Sequence, residues 1–591
     1  MSWKAVLRFA TLVVLVFLAK NSYAQGSCPS TANMDGGVYA APSHCYYVDF
    51  SSGSDSNSGT SESSPLKHAK GMQGCSGNCS AMSLGGGIGV IFRGGVTWDY
   101  TIWPWAPGAS GSGGSDSSGG CTGSSCLYLG VDKSWFAGGS WSRPVFSGGD
   151  FSNPGANTTC FYDMDNSSGP RMLDLVARTD LIVDNFELTG MCLQSPNNPP
   201  GGNNPPYINT GGAQNLTIEN TYIHRVAWPL SYATQGQAFE AVNGGSYHFT
   251  YNVIDYSDSG PTTTFTSGCS NCYSGDGIGG GNIWMDHNVL HNLGDSTDIG
   301  SMSVHDNYFW NAAAGVCEGV GCGFHNHISN DSACTAGTTI TWYNNVVDTT
   351  YAQTLGFADN AACTYYVFNN VFVNQINAFT MFATGQNGNK FYIFNNTAEA
   401  AQDGGPSGAF LDGGGTNASY QVFNDHIISG NGGGVFLVGA GGNAFDPAGS
   451  WTTSAGTITH ADFNSLPGYP LADIIVAPQS TANSQGYSRS QTYMFSPTSS
   501  GGPTVGKGVN EMNFCNTLNS ATGDSAAFSA CKHDTSYAVA YNQTNHTAIN
   551  GPRVPNARPT TGAWDSGAYQ FSSASSSAPL NPPSGLTAVV Q

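Results

Sequence analysis

A short phrase of alternating apolar and polar residues, ending in asparagine, recurs along this 591-residue chain. It is clearest at residues 282–292, 303–311 and 340–347. Aligned on the asparagine, the phrase occurs nine times, and successive copies are 19 to 38 residues apart. A constant phrase with variable spacing indicates one structural unit repeated with loops of different length. The aligned corner positions are Asn185, Asn220, Asn252, Asn288, Asn307, Asn345, Asn370, Asn396 and Asp425.

The alternation within each copy predicts the secondary structure. A period of two residues is that of a β-strand, and parallel stacking of such strands places them about 4.8 Å apart. Asparagine then lies above asparagine, and its amide bonds along the stack. The residue three places before each corner, Met285 in one copy, is predicted to point inward. We therefore predict an all-β fold, a single-stranded right-handed parallel β-helix, rather than a β-sandwich, which would not repeat asparagine at one register.

The chain divides into five predicted segments. Residues 1–24 have a positive start, a short apolar stretch and a small-residue cleavage site, as in a secretory signal peptide. Residues 25–180 form an N-terminal cap and the first coils, residues 181–476 the β-helix, and residues 477–571 a β-rich closing region. Residues 572–591 are a serine- and proline-rich linker tail. No other stretch reads as a transmembrane segment, so we expect a secreted, extracellular protein, with retention at the cell surface left open.

Charge and cysteine content restrict the class of function. The chain has 17 Lys and Arg against 38 Asp and Glu, a net charge of -21. Phosphate binding needs cationic side chains, so nucleic acid is excluded as a partner. The even number of cysteines, 16, predicts disulfides in an oxidising compartment rather than zinc sites. The predicted pairs are Cys28/Cys45, Cys75/Cys79, Cys121/Cys126, Cys160/Cys192, Cys269/Cys272, Cys317/Cys322, Cys334/Cys363 and Cys515/Cys531.

The outward positions of the phrase carry the candidate site. Strand alternation places Trp284 and Asp286 outward in one coil, with His305 beside them in the next. His248 lies on the same face one coil earlier. An aromatic ring, a carboxylate and imidazoles on one patch suit a carbohydrate site. A solvated sheet face with scattered polar residues is the alternative interpretation.

Two further pairs of residues allow more than one interpretation. His325 and His327 would face the same side of a strand, which suits a substrate groove near His305 or a metal site. His287 and Asp306 fall in the column just before the corner. We expect those two to lie inside the helix and to satisfy one another as buried polar groups.

The central phrases resemble motifs of a known family. Residues 282–287 resemble the W-I-D-H strand of pectate lyases, residues 295–299 are similar to their D-G-x-x-D-I motif, and residues 301–309 to their I-T-V-S-x-N-x-F motif. The chain thus resembles the pectate-lyase-like superfamily of secreted right-handed β-helix proteins. The resemblance implies Ca²⁺ as cofactor, held by Asp286, Asp295 and Asp298.

The resemblance also implies a reaction. Pectate lyases break polysaccharides by β-elimination with an arginine from an R-x-P-x-x-R motif as base, and this motif has no counterpart here. Arg225 or His305 is therefore expected to move the proton, beside Asp286. Two alternatives stay open: a glycoside hydrolase using paired aspartates on the same fold, and a non-catalytic adhesion protein. An open groove with converging acids would favour an enzyme, and a flat, loop-covered face would favour adhesion. We expect a polysaccharide as partner and a monomer as the oligomeric state.

Overall fold

A computed structural model describes the sheet framework and most of the regions on either side of it. The described residues are 26–35, 41–115, 118–149, 171–192, 206–228, 237–240, 245–258, 260–261, 276–279, 282–292, 297–298, 303–312, 337–350, 353–357, 363–375, 378–383, 390–400, 411–413, 419–429, 450–453, 456–459, 475–551 and 553–572.

Two long sheets, in which every pairing is parallel, run the length of the molecule. Strands are numbered β1–β39 along the chain, and the first sheet holds twelve of them. They are β1 (His44–Val48), β2 (Ile88–Gly94), β6 (Leu127–Phe136), β9 (Thr179–Asp184), β12 (Gln214–Glu219), β15 (Ser246–Thr250), β19 (Asn282–Asp286), β22 (Ser303–His305), β24 (Thr339–Tyr343), β27 (Thr364–Phe368), β30 (Lys390–Phe394) and β33 (Ser419–Phe423).

The second sheet follows the first across a sharp turn in each coil. It also has twelve strands on its main path, and β17 (Gly260–Pro261) pairs beside β13. They are β3 (Thr97–Trp98), β7 (Val145–Ser147), β10 (Glu187–Cys192), β13 (Tyr222–Trp228), β16 (Val253–Asp255), β20 (Val289–His291), β23 (Tyr308–Ala312), β25 (Val346–Thr350), β28 (Val371–Gln375), β31 (Thr397–Ala400), β34 (His426–Ser429) and β37 (Ile475–Pro478).

A third, shorter layer completes the coils. Five parallel strands form it in the first half of the helix: β8 (Leu173–Asp174), β11 (Pro206–Asn209), β14 (Gln237–Glu240), β18 (Asp276–Gly279) and β21 (Thr297–Asp298). Three more pair later: β26 (Gln353–Phe357), β29 (Ala378–Ala383) and β32 (Leu411–Gly413). Where all three strands of a coil are described, the coil passes from the third layer to the first sheet and then to the second. The predicted right-handed parallel β-helix is therefore confirmed.

Short hairpins and helices lie outside the coils. The hairpins are β4 (Gly114–Ser115) with β5 (Cys121–Thr122), β35 (Ser450–Thr453) with β36 (Gly456–Thr459), and β38 (Val539–Asn542) with β39 (Thr547–Asn550). The helices are α1 (Thr31–Asp35), α2 (Gly77–Ser80), a 3₁₀ turn (Tyr100–Ile102), α3 (Gln479–Ser484), α4 (Met512–Thr522) and α5 (Ser525–Cys531). No helix within the described residues has the length and apolar character needed to cross a membrane.

The turn between the first and second sheets holds the asparagine ladder. Asn288 Nδ2 donates to Asn307 Oδ1 at 3.0 Å, and Asn307 Nδ2 donates to Asn345 Oδ1 at 3.0 Å. The residue before each ladder position has a left-handed backbone, with φ of 54° at His287. These buried amides satisfy one another along the stack, so the turn needs no water. The ladder runs through Asn252, Asn288, Asn307, Asn345, Asn370, Asn396 and Asp425.

The predicted alignment was wrong by one residue in the first two coils. Asn185 and Asn220 have φ of 60° and 52°, so they occupy the left-handed position rather than the ladder. The strand register agrees, since Glu219 pairs with Thr250. As a result Ile182 and Thr217 point outward, not inward as predicted. An asparagine suits both turn positions because it tolerates a left-handed backbone, and this made the two columns look alike.

The apolar core fills the inside of the coils. Met285, Val304 and Trp342 follow one another inward on the first sheet and are at most 1% exposed. They belong to one continuous cluster that reaches from Tyr46 to Ile427. Burial of this column fixes the strand register, because a slip of one residue would turn every inward side chain outward.

Disulfides occur at both ends of the described chain. Four of the eight predicted pairs are confirmed: Cys28–Cys45, Cys75–Cys79, Cys121–Cys126 and Cys515–Cys531. Cys363 is also disulfide-bonded. The remaining predicted pairs each include a cysteine outside the described residues, or one whose side chain is not described.

Candidate functional site

The candidate site lies on the outer face of the first sheet. Strand pairing sets His248, Trp284 and Ser303 in one outward column. A second column holds Asp286, followed directly by His305 on the next strand. Asp286 and His305 thus have the neighbouring positions on β19 and β22 that their alternation predicts.

Asp286 is the most heavily bonded group of this patch. It is only 8% exposed, and it accepts hydrogen bonds from His248 Nε2 at 2.6 Å, Thr250 Oγ1 at 2.6 Å and His287 Nδ1 at 2.8 Å. Burial alone would raise the pKa of Asp286, but the charge and hydrogen bond of His248, with the bond from His287, hold it well below its usual value. The carboxylate therefore stays charged.

His287 points outward from the left-handed turn position beside Asp286. Its ring stacks on Tyr251, with centroids 4.7 Å apart. Burial would lower the pKa of His287, but the hydrogen bond and charge of Asp286 raise it above the usual value. Asp286 thus favours the protonated imidazole, which can carry a positive charge at the protein surface.

The next coil repeats the pairing with different residues. His305 Nδ1 lies 2.7 Å from Asp306 Oδ2, and the hydroxyl of Ser536 donates to the other oxygen of the same carboxylate. Burial would raise the pKa of Asp306, but the hydrogen bond and charge of His305 hold it below the usual value. The rings of His287 and His305 are 6.4 Å apart and perpendicular. Two imidazoles, each oriented by its own carboxylate, therefore face one small area.

The prediction that His287 and Asp306 lie inside and satisfy one another was wrong. His287 bonds to Asp286, and Asp306 bonds to His305 and Ser536. The cause is the turn geometry. Both residues have the left-handed backbone that precedes the ladder, with φ of 54° and 57°, and this conformation turns their side chains to the outside.

A loop from the N-terminal region borders the patch on one side. A side chain at Gly119 would come within 2.4 Å of the indole of Trp284, and one at Gly120 within 2.6 Å of His248. Glycine lets this loop approach both side chains closely. Trp284, predicted as an open stacking platform, is thus partly exposed with the loop against its ring.

The other predicted residues lie elsewhere or outside the described chain. Arg225 is on β13 in the second sheet, three coils before the coil of His305, and its carbonyl accepts a hydrogen bond from Tyr207 at 2.9 Å. Asp298 is on β21 of the third layer. Asp295, His325 and His327 lie outside the described residues.

The surroundings of Asp286 do not fit a calcium ion. Calcium takes six to eight oxygen ligands, whereas two of the three groups bonded to Asp286 are imidazole nitrogens. Across the described parts of the chain, no three His, Cys, Asp or Glu side chains converge as a metal site would require. Calcium at Asp295 and Asp298 stays a prediction.

Sequence reasoning missed three contributors to this patch. His287 and Asp306 each follow a predicted site residue directly, and the left-handed turn is the signal that could have identified them as outward. Ser536 is 230 residues from Asp306. No local pattern connects those two, so only the folded closing region brings Ser536 to the patch.

Comparisons with known proteins concern the fold. No protein-family model matches the sequence, and no curated protein matches it significantly. The crystal structure of pectate lyase Pel9A matches 92% of this chain and 99% of its own, with 13% identity and a TM-score of 0.37. Two crystal structures of GH136 lacto-N-biosidase from Eubacterium ramulus match 67% and 66% of this chain and 67% and 68% of theirs, with 13% and 11% identity and TM-scores of 0.32.

Similarity at this level carries no statement about activity. The architecture rests on the strand pairings and on the amide ladder of the chain itself. The chain is therefore a right-handed parallel β-helix.

Proposed function

We propose that this protein is secreted and cleaves an acidic polysaccharide by β-elimination at the patch around Asp286 and His305. The observation that carries the proposal is the pair of imidazoles, His287 and His305, whose centroids are 6.4 Å apart. Each ring is oriented by its own buried carboxylate partner. One positioned base and one positioned cation are what such an elimination needs.

His305 is the proposed base. His305 donates its Nδ1 proton to Asp306, so the neutral form of this ring carries a lone pair on Nε2. Nε2 removes the proton from the ring carbon next to the sugar carboxylate. The electron pair forms a carbon–carbon double bond, the bond to the glycosidic oxygen breaks, and that oxygen takes up a proton from water as the new chain end is released. His305 then returns its proton to water.

His287 is the proposed partner for the sugar carboxylate. Asp286 keeps this imidazole protonated, so its free edge can donate a charge-assisted hydrogen bond. Neutralising the carboxylate makes the neighbouring proton more acidic. The overall charge of -21 would repel an acidic chain, and this local positive group offsets that repulsion at the patch.

The pKa values at the patch favour elimination over two-carboxylate hydrolysis. A glycoside hydrolase needs one carboxylic acid that stays protonated, with a raised pKa. Here the pKa values of both Asp286 and Asp306 are lowered, and both carboxylates are engaged by imidazoles. Imidazoles rather than carboxylates are therefore the groups free to transfer protons.

Incubation with a panel of acidic polysaccharides tests the proposal. We expect ultraviolet-absorbing unsaturated products from the wild-type protein and at least a hundredfold slower release from His305→Ala. His44→Ala is the matched control, because His44 is an exposed histidine on the same sheet, far from the patch. New reducing ends without unsaturation would mean a hydrolase, and neither product on any substrate would mean a binding or adhesion protein.

Calcium enters this proposal only as a separate prediction. Asp295 and Asp298 would hold it, as the family resemblance implies, and would add positive charge near the substrate. Removal of bound metal with a chelator, followed by a calcium-binding titration by calorimetry, tests it. Full activity after chelation together with no measurable calcium binding would rule the ion out.

A further inference from the structure

A second polar cluster occupies the outer face of the second sheet. Asp255, His291 and Trp310 follow one another in one outward column on β16, β20 and β23. The hairpin of β38 and β39 covers the neighbouring column and adds Tyr541 and His546 to the cluster. None of these five residues belongs to the patch around Asp286.

A chain of hydrogen bonds orders this cluster. Asp255 is 3% exposed; its Oδ2 accepts the Tyr541 hydroxyl at 2.5 Å, and its Oδ1 accepts the Ser257 amide at 2.9 Å. His291 Nδ1 lies 3.0 Å from the same carboxylate, an ion-pair distance, although the ring is not aligned for a hydrogen bond. Burial would raise the pKa of Asp255, but His291 and Tyr541 lower it, so the group is an acceptor only.

The proton positions follow from this order. Tyr541 has one hydroxyl proton and gives it to Asp255, so its oxygen can only accept from His546 Nδ1, 2.9 Å away. Burial lowers the pKa of His546, which favours the neutral ring. Its Nε2 therefore carries a lone pair, and no described group bonds to that atom. His546 is half-buried, so its Nε2 gives the cluster an oriented hydrogen-bond acceptor for a ligand.

Aromatic rings lie on both sides of Asp255 along this face. The Trp310 ring stacks on His291 at 4.1 Å and stays partly exposed. Tyr222 is buried and stacks on His546 at 4.3 Å and on His224 at 4.0 Å, which fixes the His546 ring. A partly exposed indole matches the apolar face of a sugar ring, and a fixed polar atom matches a sugar hydroxyl.

The hairpin does not need this cluster to stay in place. Arg143 donates to the carbonyls of Asn545 and His546 at 3.3 and 3.1 Å, and Tyr251 donates to Asn550 at 2.6 Å. Val539 packs against the valines of the neighbouring outward column. These contacts anchor the hairpin independently, so the bonds among Asp255, Tyr541 and His546 are available for another role.

The charge around the cluster selects the ligand. Three carboxylates lie here, those of Glu187, Asp255 and Asp258. The nearby basic groups are the buried Arg143 and His224, and His224 is paired with Glu187 and Asp258. A negatively charged sugar would be repelled here, in contrast to the patch around Asp286 with its protonated His287. A neutral sugar has no such penalty.

His546 stacks on Tyr222 of β13, and Trp310 lies three strands further along the same face, about 14 Å away. We propose that this face is a second carbohydrate-binding site, for a neutral oligosaccharide, with Trp310 beneath one sugar ring and His546 accepting a hydroxyl hydrogen bond from another. The site binds without cleaving, and it stands whether or not the patch around Asp286 performs elimination. A neutral branch or a neighbouring neutral polymer would then hold the protein near its substrate.

Calorimetry with neutral hexasaccharides of glucose, mannose, xylose and galactose tests the site, with hexagalacturonate as the acidic counterpart. We expect at least one neutral hexasaccharide to bind the full-length protein and Trp310→Ala to weaken it tenfold or more. Tyr541→Phe keeps the ring but removes the hydroxyl that orients His546, and should weaken binding several-fold. Thermal melting of both variants checks that the hairpin remains folded.

His305→Ala is the matched control, since it lies on the other sheet and should leave neutral-sugar binding unchanged. Absence of binding by every neutral hexasaccharide would overturn the proposal. So would binding that His305→Ala abolishes and the Trp310 and Tyr541 substitutions leave intact. Loss of polysaccharide cleavage in His305→Ala is read separately, so failure of the elimination proposal is distinguishable from failure of this one.

Discussion

One outward column of the first sheet contains two regions that differ sharply. In the central coils it carries Asp286 and His305, which are partly accessible at the surface. In the next four coils it carries Tyr343, Phe368, Phe394 and Phe423, each at most 1% exposed. Backbone register is the same throughout, and the rings from His305 onward stack 4.6 to 4.9 Å apart.

The difference lies in what covers each region. Helix α4 places Phe514 and Leu518 over the aromatic stretch, whereas the central stretch is left between that cover and the N-terminal loop at Gly119. A single repeated strand thus forms core at one end and a candidate site in the middle. The side chains suit these covers, because aromatic rings are stabilised by burial whereas a carboxylate such as Asp286 is destabilised by it unless it is paired.

The largest expected effect is on the covered region. Phe394→Ala removes a ring packed against Phe368, Phe423 and Phe514, and should cost about 3–5 kcal/mol of unfolding free energy. Denaturant titration measures it. Lys390→Ala, at an exposed position of the same strand, should stay within about 0.5 kcal/mol. If Phe394→Ala lost as little unfolding free energy as Lys390→Ala, α4 would not cover this face.

The next effect is on the open region. Asp286→Asn removes the charge that holds His287 protonated, so turnover should fall roughly 10²- to 10³-fold. The pKa of His287 should fall, because the partner that raises it is gone. The alkaline limb of the pH–rate profile then moves to lower pH. Asp132→Asn, a buried aspartate on β6 that belongs to neither site, is the control, and an equal rate loss there would contradict the assignment.

The end of the ladder gives a pH-dependent prediction. Burial raises the pKa of Asp425 from 3.8 to about 8, against hydrogen bonds from Asn396 that lower it. A raised folded pKa stabilises the fold below the unfolded value, and this contribution is lost as pH rises towards about 8. Asp425→Asn should therefore stabilise the protein increasingly with pH, by on the order of 1–3 kcal/mol above pH 8. Unfolding midpoints that differ by the same amount at pH 5 and pH 9 would refute it.

The smallest effect concerns the closing region. Ser536→Ala leaves the bond between His305 and Asp306 but removes a second donor to that carboxylate. Turnover should fall about two- to tenfold, because the carboxylate that orients the His305 ring is held less firmly. Ser520→Ala, on the exposed side of α4, should leave turnover unchanged. A full loss of activity would give Ser536 a direct role at the substrate.

The fold could be predicted because its signal is local and repeated. Asparagine at the turn, apolar residues three places earlier and alternation between them all come from one coil and recur in the next. The error in the first two coils arose where Asn185 and Asn220 hold the left-handed position, which a neighbouring asparagine can fill equally well. Strand register, and with it the neighbouring positions of Asp286 and His305, followed from the same repeat.

The sites were harder to predict because their remaining parts come from distant segments. The loop that packs against Trp284 includes Gly119, and the sequence repeat does not predict this contact. Tyr541 reaches Asp255 across 286 residues. Burial, tautomers and pKa shifts depend on such contacts, so the sequence predicts which face carries the chemistry but not which partner fixes each side chain.

The closing region also affects when, during synthesis, the two candidate sites are completed. Coils of a solenoid can form from neighbouring segments as soon as they leave the ribosome. Ser536, Tyr541 and Asn550, however, complete contacts with residues synthesised 230 to 299 positions earlier. An unfinished or C-terminally clipped chain would keep its ladder and yet lack the Ser536 bond to Asp306 and the whole hairpin part of the second cluster. Sugar binding at that cluster therefore reports on completion of synthesis, and coil formation alone does not.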